Sequence, residues 1–322
     1  MSDTTNGMAA EYDVVVVGGG AAGLNAALVL GRARRRVAVV DGGAPRNAPA
    51  AHMRGFLSRD GMPPAALLAV GREEVTGYGV ELLTGHVDAI EPGEPREPGF
   101  LVHLAGGALL RARRVLVATG ARDELPGIPG LRERWGRDVL HCPYCHGYEV
   151  RDEPLGILGT HPGAVRHALL LRQWSHDVTF FAHTHDPTDE EREALAARGV
   201  RVTGGVVKRL VVEGDRLYGV ELADGRVVPR RAVFVLPRTV PHDGPLTALG
   251  CERDDTGAVR TDATGRTSVP GVWAAGNVAH PRAQVVTAAG TGSAAAIALD
   301  HDLLREDVER AVGRHRTGSR AA

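Results

Sequence analysis

The chain has 322 residues, 43% of them hydrophobic and 24% charged; at roughly 100–200 residues per domain this predicts two globular domains and excludes a disordered protein. Its 38 basic and 39 acidic residues leave a net charge of −1, so no nucleic-acid partner is expected, and no apolar run approaches the ~20 residues of a membrane helix, so no membrane partner is expected either. Lys208 is the only lysine and lies in VVKRL, which removes a P-loop and leaves Schiff-base chemistry without a suitable amine.

Residues 1–10 predict a disordered leader. The polar start, MSDTTNGMAAEYD, has no signal-peptide pattern. The cysteines are Cys142, Cys145 and Cys251, too few to staple a secreted domain, so a cytoplasmic protein is expected. Residues 12–17, YDVVVV, read as a buried strand. Glycines follow at 18–20 and 23, then a helical stretch, and a second strand over 37–40 ends in Asp41. This is a βαβ opening. Residues 114–118, RVLVA, predict a later strand that ends in Thr119-Gly120. A junction at Pro126, Pro129 and Gly130 precedes a second βαβ opening, with a strand at 156–159, a helix over 164–174 and a strand over 178–181. Short strands come next, with a hairpin turn at Ala223-Asp224-Gly225. A further Pro/Gly-rich junction lies near 237–244. The chain closes on GVWAAGN (271–277), a long helix over about 285–304, and a frayed tail from Arg314. The expected fold class is α/β, two Rossmann-like dinucleotide-binding domains with the second inserted into the first. Residues 1–124 and 240–322 form the first, and residues 125–239 form the second and carry the CxxC.

Gly18-x-Gly20-x-x-Gly23 follows a strand and opens a helix, and Asp41 ends the next strand. Glycines let the backbone turn tightly and approach a pyrophosphate on the helix N-terminus, while the acid accepts hydrogen bonds from a ribose. With strand, helix and acid in register the motif is specific, as a lone GxGxxG is not.

His141-Cys142-Pro143-Tyr144-Cys145-His146-Gly147 is the most informative segment. Two cysteines separated by two residues at a helix start can form a small, reducible disulfide, and the helix and a neighbouring histidine favour the thiolate. A zinc site needs about four ligands, and there is neither a second CxxC nor a partner near Cys251 in sequence. Cys142-x-x-Cys145-His146 also matches a c-type haem attachment, which would need export. Two inert core cysteines would not ordinarily sit beside proline and two histidines. A flavin-linked redox disulfide is the favoured reading. No metal is expected, and Cys251 reads as an ordinary buried cysteine.

Ala118-Thr119-Gly120, the Gly276-Asn277 that follows VWAA, and the CxxC inside an inserted second nucleotide fold together resemble the low-molecular-weight thioredoxin reductases, over nearly the whole chain. The resemblance implies FAD across the first domain. It implies that Gly18, Gly20, Ala22, Gly23 and Asp41 hold it, with Arg46 and Asn47, with Thr119 and Gly120, and with Gly276, Asn277, Gln284 and Val285. Asn277 stands where that family has Asp. A homodimer with mutually rotating domains is also implied, as is electron exchange between FAD and the cysteines. Cys145 would face the flavin and Cys142 would meet the external thiol or disulfide.

Three departures from that family matter. His146 stands where an acidic residue usually follows the second cysteine; an imidazole titrates near neutrality and suits proton transfer from a thiol, with His141 as a second candidate. Gly159-Thr160-His161-Pro162-Gly163-Ala164 stands where GxGxxA is expected, and a β-carbon at His161 obstructs a pyrophosphate. The basic cluster that clamps a 2′-phosphate is replaced by Ala182-His183-Thr184-His185-Asp186-Pro187, with Arg192 the nearest arginine. NADPH is therefore a doubtful cofactor. The stretch from Asp41 to Gly61, together with CPYCHGYE, resembles the branch that includes the dithiol oxidases of gliotoxin and holomycin biosynthesis. Those enzymes pass electrons from FAD to oxygen. The expected function is oxidation of a small-molecule dithiol to a disulfide through Cys142, Cys145, His146 and His141. The alternatives are an NAD(P)H-dependent reductase of thioredoxin disulfide and a non-catalytic flavin-binding redox sensor.

Overall fold

The computed structural model describes residues 10–94 and 98–318. The expected leader lies outside them except for Ala10, which opens the first strand. Two compact units emerge. The first comprises the chain up to Arg46, Ala65–Arg122, and the part from Val240 onward; the second comprises Asn47–Pro64 and Asp123–Thr239.

The first unit is built on a seven-stranded sheet. Ala10–Val17 and Leu109–Val117 pair in parallel at its centre. Val37–Asp41 and Glu81–Thr84 extend one side in parallel. Leu109–Val117 pairs antiparallel with Phe100–Leu104 near its start and parallel with Val272–Ala274 near its end. The run Val14–Val17 is buried on both faces, which is why it reads as continuous valine rather than as an alternation. Leu24, Ala27, Leu30, Trp273, Leu299 and Leu303 share the core on one face. Cys251 lies in the core on the other, beside Val15, Val115 and Leu246.

The last helix, Val285–Gly318, runs well past the expected end near 304 and takes in most of the tail that was expected to fray. Arginines hold it to the rest of the first unit: Arg35 pairs with Asp300 at 2.6 Å and Asp307 at 2.7 Å, and Arg114 with Asp302 at 2.7 Å and Glu306 at 2.8 Å. Near its start the helix touches Ala21–Arg32 backbone to backbone, since a β-carbon on Gly292 would fall 2.1 Å from the Ala22 carbonyl oxygen.

The second unit holds a five-stranded parallel sheet in the order Arg201–Thr203, Val178–Phe181, Leu155–Leu158, Ala232–Phe234, Val139–Leu140. Its longer helices are Ala164–Leu171, which ends short of the expected Trp174, and Asp189–Ala197, whose start Thr188 and Glu191 cap reciprocally. The strands Arg216–Leu222 and Val227–Pro229 form the expected hairpin, with Gly225 at φ +85° in the turn. Asn47–Pro64 packs with this unit, not with the first as the sequence suggests. Pro49 lies so close to Gly136 that a β-carbon there would sit 2.8 Å from its carbonyl oxygen, and Arg54 pairs with Glu149 at 3.0 Å. No described helix is long and apolar enough to cross a membrane.

Candidate active site

The first glycine-rich loop is shaped by main-chain contacts. Gly18 takes φ +108°, and a β-carbon on it would lie 2.4 Å from the Ala118 carbonyl oxygen. One on Gly23 would lie 1.8 Å from the Gly18 oxygen. Gly20, at the N-cap of Ala21–Arg32, has nothing within 4 Å on that side, so the helix start is open to a phosphate. Asp41 accepts from the Gly43 amide at 3.1 Å and from Arg72 at 2.8 Å. Burial works to raise its pKa, but Arg72 and the Gly43 and Gly19 amides outweigh it and hold the carboxyl below its usual range.

Elsewhere in the first unit, Ala22 lies beside Gly276, which has φ +73° and whose β-carbon would fall 2.8 Å from that of Ala22. The Asn277 side-chain amide donates to the carbonyls of His280 at 3.1 Å and Ala283 at 3.0 Å, and Arg46 reaches Pro281 O at 2.7 Å. An aspartate could not donate there, so asparagine at this position fits the turn that leads into Gln284 and the helix from Val285. Thr119 Oγ1 donates to His242 O at 2.7 Å, and Gly120 O accepts from the His242 amide at 3.0 Å. Asn47 opens the stretch that packs with the second unit, where its carbonyl accepts from Ala50.

The second glycine-rich loop is built differently. A β-carbon on Gly159 would meet the carbonyl oxygens of Phe181, Ala182 and His185 at 2.8–2.9 Å. His161 turns its ring back, so Nδ1 accepts from the Gly163 amide at 2.9 Å while its carbonyl accepts from Ala164 at 2.9 Å. Two amides at the start of Ala164–Leu171, the kind a pyrophosphate would need, are thus taken by His161 itself. Arg192 bonds to Pro187 O at 3.1 Å and pairs with Asp186. His183 Nδ1 accepts from Val207 at 3.0 Å.

Cys142 and Cys145 form a disulfide with their Cα atoms 5.2 Å apart. Cys142 is the N-cap of the short helix Pro143–His146, and its carbonyl accepts from the amides of Cys145 and His146. Proline at the first helical position suits its fixed φ. Gly147 has no room for a side chain, because a β-carbon would lie 2.9 Å from the Trp174 ring. Tyr144, 65% exposed, stacks edge-on against Trp174 at 5.7 Å. His146 is half-buried. Burial lowers its pKa, Arg54 and His141 lower it further, and Glu149 opposes them. At neutral pH it is therefore an uncharged base. His141 Nδ1 lies 3.4 Å from Val235 O, and its ring is 6.1 Å from that of His167. Burial pushes Cys251 up, and its thiol donates to Thr267. Among the described residues no group of three or more His, Cys, Asp or Glu is placed to hold a metal ion.

Sequence reasoning missed His167, Trp174 and Arg54. The signal for His167 was a histidine in the apolar run AVRHALLL, three positions beyond the loop. Arg54 carried none, because its partner Glu149 is distant in sequence.

Two dinucleotide folds, one bearing a redox-type cysteine pair, define a flavin-dependent disulfide oxidoreductase. The chain belongs to the pyridine nucleotide-disulphide oxidoreductase family, whose pattern matches residues 12–292. It is similar to "Thioredoxin reductase sirT" of Leptosphaeria maculans, 31% identical over 92% of this chain and 96% of that protein. It is similar to "Thioredoxin reductase tcpT" of Claviceps purpurea, 30% identical over 82% and 86%. The fold matches the crystal structure of HlmI with a TM-score of 0.94, at 65% identity over 98% of this chain and 99% of that one. It also matches a thioredoxin reductase from Bacillus anthracis, described there as putative, with a TM-score of 0.87 at 32% identity over 92% and 99%. FAD, the flavin of these thioredoxin reductase-like proteins, suits the first loop, where the helix start at Gly20 has open space that a side chain would fill.

Proposed function

We propose that this protein oxidises a small-molecule dithiol to a disulfide, with FAD as its cofactor and oxygen as the final electron acceptor. The observation that carries this reading is His161 bonded to the Gly163 amide, in the place where a nicotinamide nucleotide would need free donors, beside an intact cysteine pair. A substrate thiolate attacks Cys142 Sγ and breaks the Cys142–Cys145 bond, releasing the Cys145 thiolate. The second substrate thiol displaces Cys142 from the mixed disulfide, which frees the cyclic product and leaves both cysteines reduced. His146, uncharged at neutral pH, takes a proton from an incoming thiol; His141 assists. Gly18, Gly20, Gly23 and Asp41 would hold FAD in the first unit, and the bound flavin would supply the two-electron acceptor that re-forming the cysteine pair requires, with oxygen as the final acceptor and hydrogen peroxide as the product.

A second reading, NAD(P)H-dependent reduction of thioredoxin disulfide, is favoured by the names of the relatives, among them a thioredoxin reductase of Listeria monocytogenes that is 30% identical. Anaerobic flavin absorbance separates the two. Bleaching by dithiothreitol but not by NADPH is the expected outcome, whereas NADPH bleaching at a catalytic rate overturns the oxidase reading. A pure flavin sensor predicts that Cys142→Ser changes no activity. The protein acts as a cytoplasmic homodimer in this proposal. The exposed stripe Val286, Ile297, Leu304, Val308 and Val312 along one face of the last helix supports self-association, and sedimentation of the holoprotein at twice the chain mass is expected.

A further inference from the structure

An aspartate serves a ribose only when its carboxylate points at the hydroxyls, and its side chain can turn about two bonds. At Asp41 three contacts set that turn. The carboxylate lies against the glycine-rich loop, since a β-carbon on Gly19 would fall 2.6 Å from Asp41 Cγ and from Oδ2. Oδ1 accepts from the Gly43 amide at 3.1 Å. Oδ2 accepts from Arg72 Nη2 at 2.8 Å. The main chain beneath is fixed as well, because the Asp41 carbonyl accepts from the Gly85 amide at 3.0 Å.

Arg72 reaches this carboxylate from the helix Pro64–Gly77. That helix buries Leu68 and Val75 in the core it shares with Leu24, Ala27 and Leu30. At Gly71, next to Arg72, a β-carbon would lie 3.2 Å from Leu24 Cδ1. The helix that carries the guanidinium is thus pressed onto the helix that opens the nucleotide loop, which fixes where Arg72 starts from. As a source of stability the pair is minor, because the Arg72 and Asp41 side chains are 38% and 24% exposed and water screens them. As an alignment it matters more. A carboxylate has acceptor sites for about four donors, so the bonds from Gly43 and Arg72 leave capacity for the two hydroxyls of a ribose. The guanidinium also offsets a negative charge that would otherwise stand near a pyrophosphate at the same loop.

We propose that Arg72 is a positioning residue for FAD, holding Asp41 Oδ2 so that the carboxylate presents its remaining acceptors to the adenosine ribose. This rests on assigning Asp41 to that ribose, and it requires nothing of the electron donor or acceptor. Arg72 acts through the carboxylate. Its loss frees Asp41 to turn away and weakens retention of the cofactor, while the fold is kept.

The test dilutes the FAD-loaded protein to nanomolar concentrations and reads released flavin by its fluorescence, which gives a Kd without turnover. Arg72→Met keeps the apolar stem and loses charge and donors, whereas Arg72→Lys keeps a charge and a donor. Arg72→Met is expected to raise the Kd about tenfold, the order found when a partner that orients a ligand-holding side chain is removed. Arg72→Lys should return to within about threefold of wild type. Asp41→Asn should itself weaken FAD, and adding Arg72→Met to it should change the Kd by less than about twofold, because the two residues act as one unit. A purely structural role would instead add its full loss in both backgrounds. The proposal is overturned by a Kd for Arg72→Met within twofold of wild type, by a Lys variant no better than Met, by a loss that persists beside Asp41→Asn, or by a variant that fails to fold. If Asp41→Asn releases no more FAD than wild type, the assignment of Asp41 falls and the proposal with it. None of these readings needs a dithiol or oxygen, so they judge Arg72 whether or not dithiothreitol bleaches the wild-type flavin.

Discussion

At the first glycine-rich loop Gly18 sits at φ +108° and Gly20 leaves its flank open, whereas at the second Gly159 is walled in by three carbonyl oxygens and His161 caps the Gly163 amide. Both loops join a parallel strand to a helix, and both flanking strands are buried. In the proposed function the scaffold and its ligand duty have come apart. Strand and helix persist because their apolar faces have a core to cover, while ligand recognition rests on a few loop residues that can be exchanged without touching that core.

The largest effect should come from the redox pair, since in the proposed function Cys142 rather than a nicotinamide is the point of electron entry. Cys142→Ser is expected to slow dithiol-driven flavin bleaching on the order of 10⁴-fold in anaerobic rapid mixing, and NADPH-driven bleaching that survives this change at a catalytic rate would break the comparison. Gly23→Ala and Gly163→Ala sharpen it. The first puts a β-carbon 1.8 Å from the Gly18 oxygen and should cost about 3 kcal/mol or more together with bound flavin. The second, at φ −69°, should keep its flavin and lose under about 1 kcal/mol in urea unfolding.

The two helices also differ in acid. Three residues beyond the third motif position the first helix buries Ala26 and the second carries His167. The folded pKa of His167 is about 4, below its usual 6.5, so as pH falls the unfolded chain takes the proton first. Stability from this residue is complete above about pH 6.5 and is lost towards pH 4, by about 3 kcal/mol. Urea titrations of wild type against His167→Phe should show the variant's flatter profile; parallel profiles would mean the histidine is not buried in its neutral form. The smallest effect is expected at His161→Ala. It frees the Gly163 amide, costs about 1 kcal/mol as a lost cap does, and leaves dithiol turnover unchanged. A large fall in turnover would show that the second loop still serves the reaction.

What could be read from the sequence was what lies close along the chain. The loop 18–23 and the segment 141–147 each carry their chemistry within seven residues, and their strand and helix flanks follow from short-range patterns. The obstruction at His161 was also legible, though as a β-carbon in the way; the structure adds an imidazole that hydrogen-bonds to the helix start. Contacts between distant residues were not legible. Asn47–Pro64 joins the second unit through Gly136 and Glu149, and nothing local in PRNAPAAHMRGF announces them. The length of the last helix escaped for a similar reason, because Arg35 and Arg114, which pair with its middle turns, come from far upstream.

The division of the first unit into three stretches has a consequence for a nascent chain. When Thr239 has left the ribosome, the second unit is already complete, because Asn47–Pro64 was made long before. The first sheet by then still lacks Val272–Ala274, and the helix Val285–Gly318 that covers its face has not been made. Synthesis therefore finishes the cysteine-bearing insert before the domain that surrounds it.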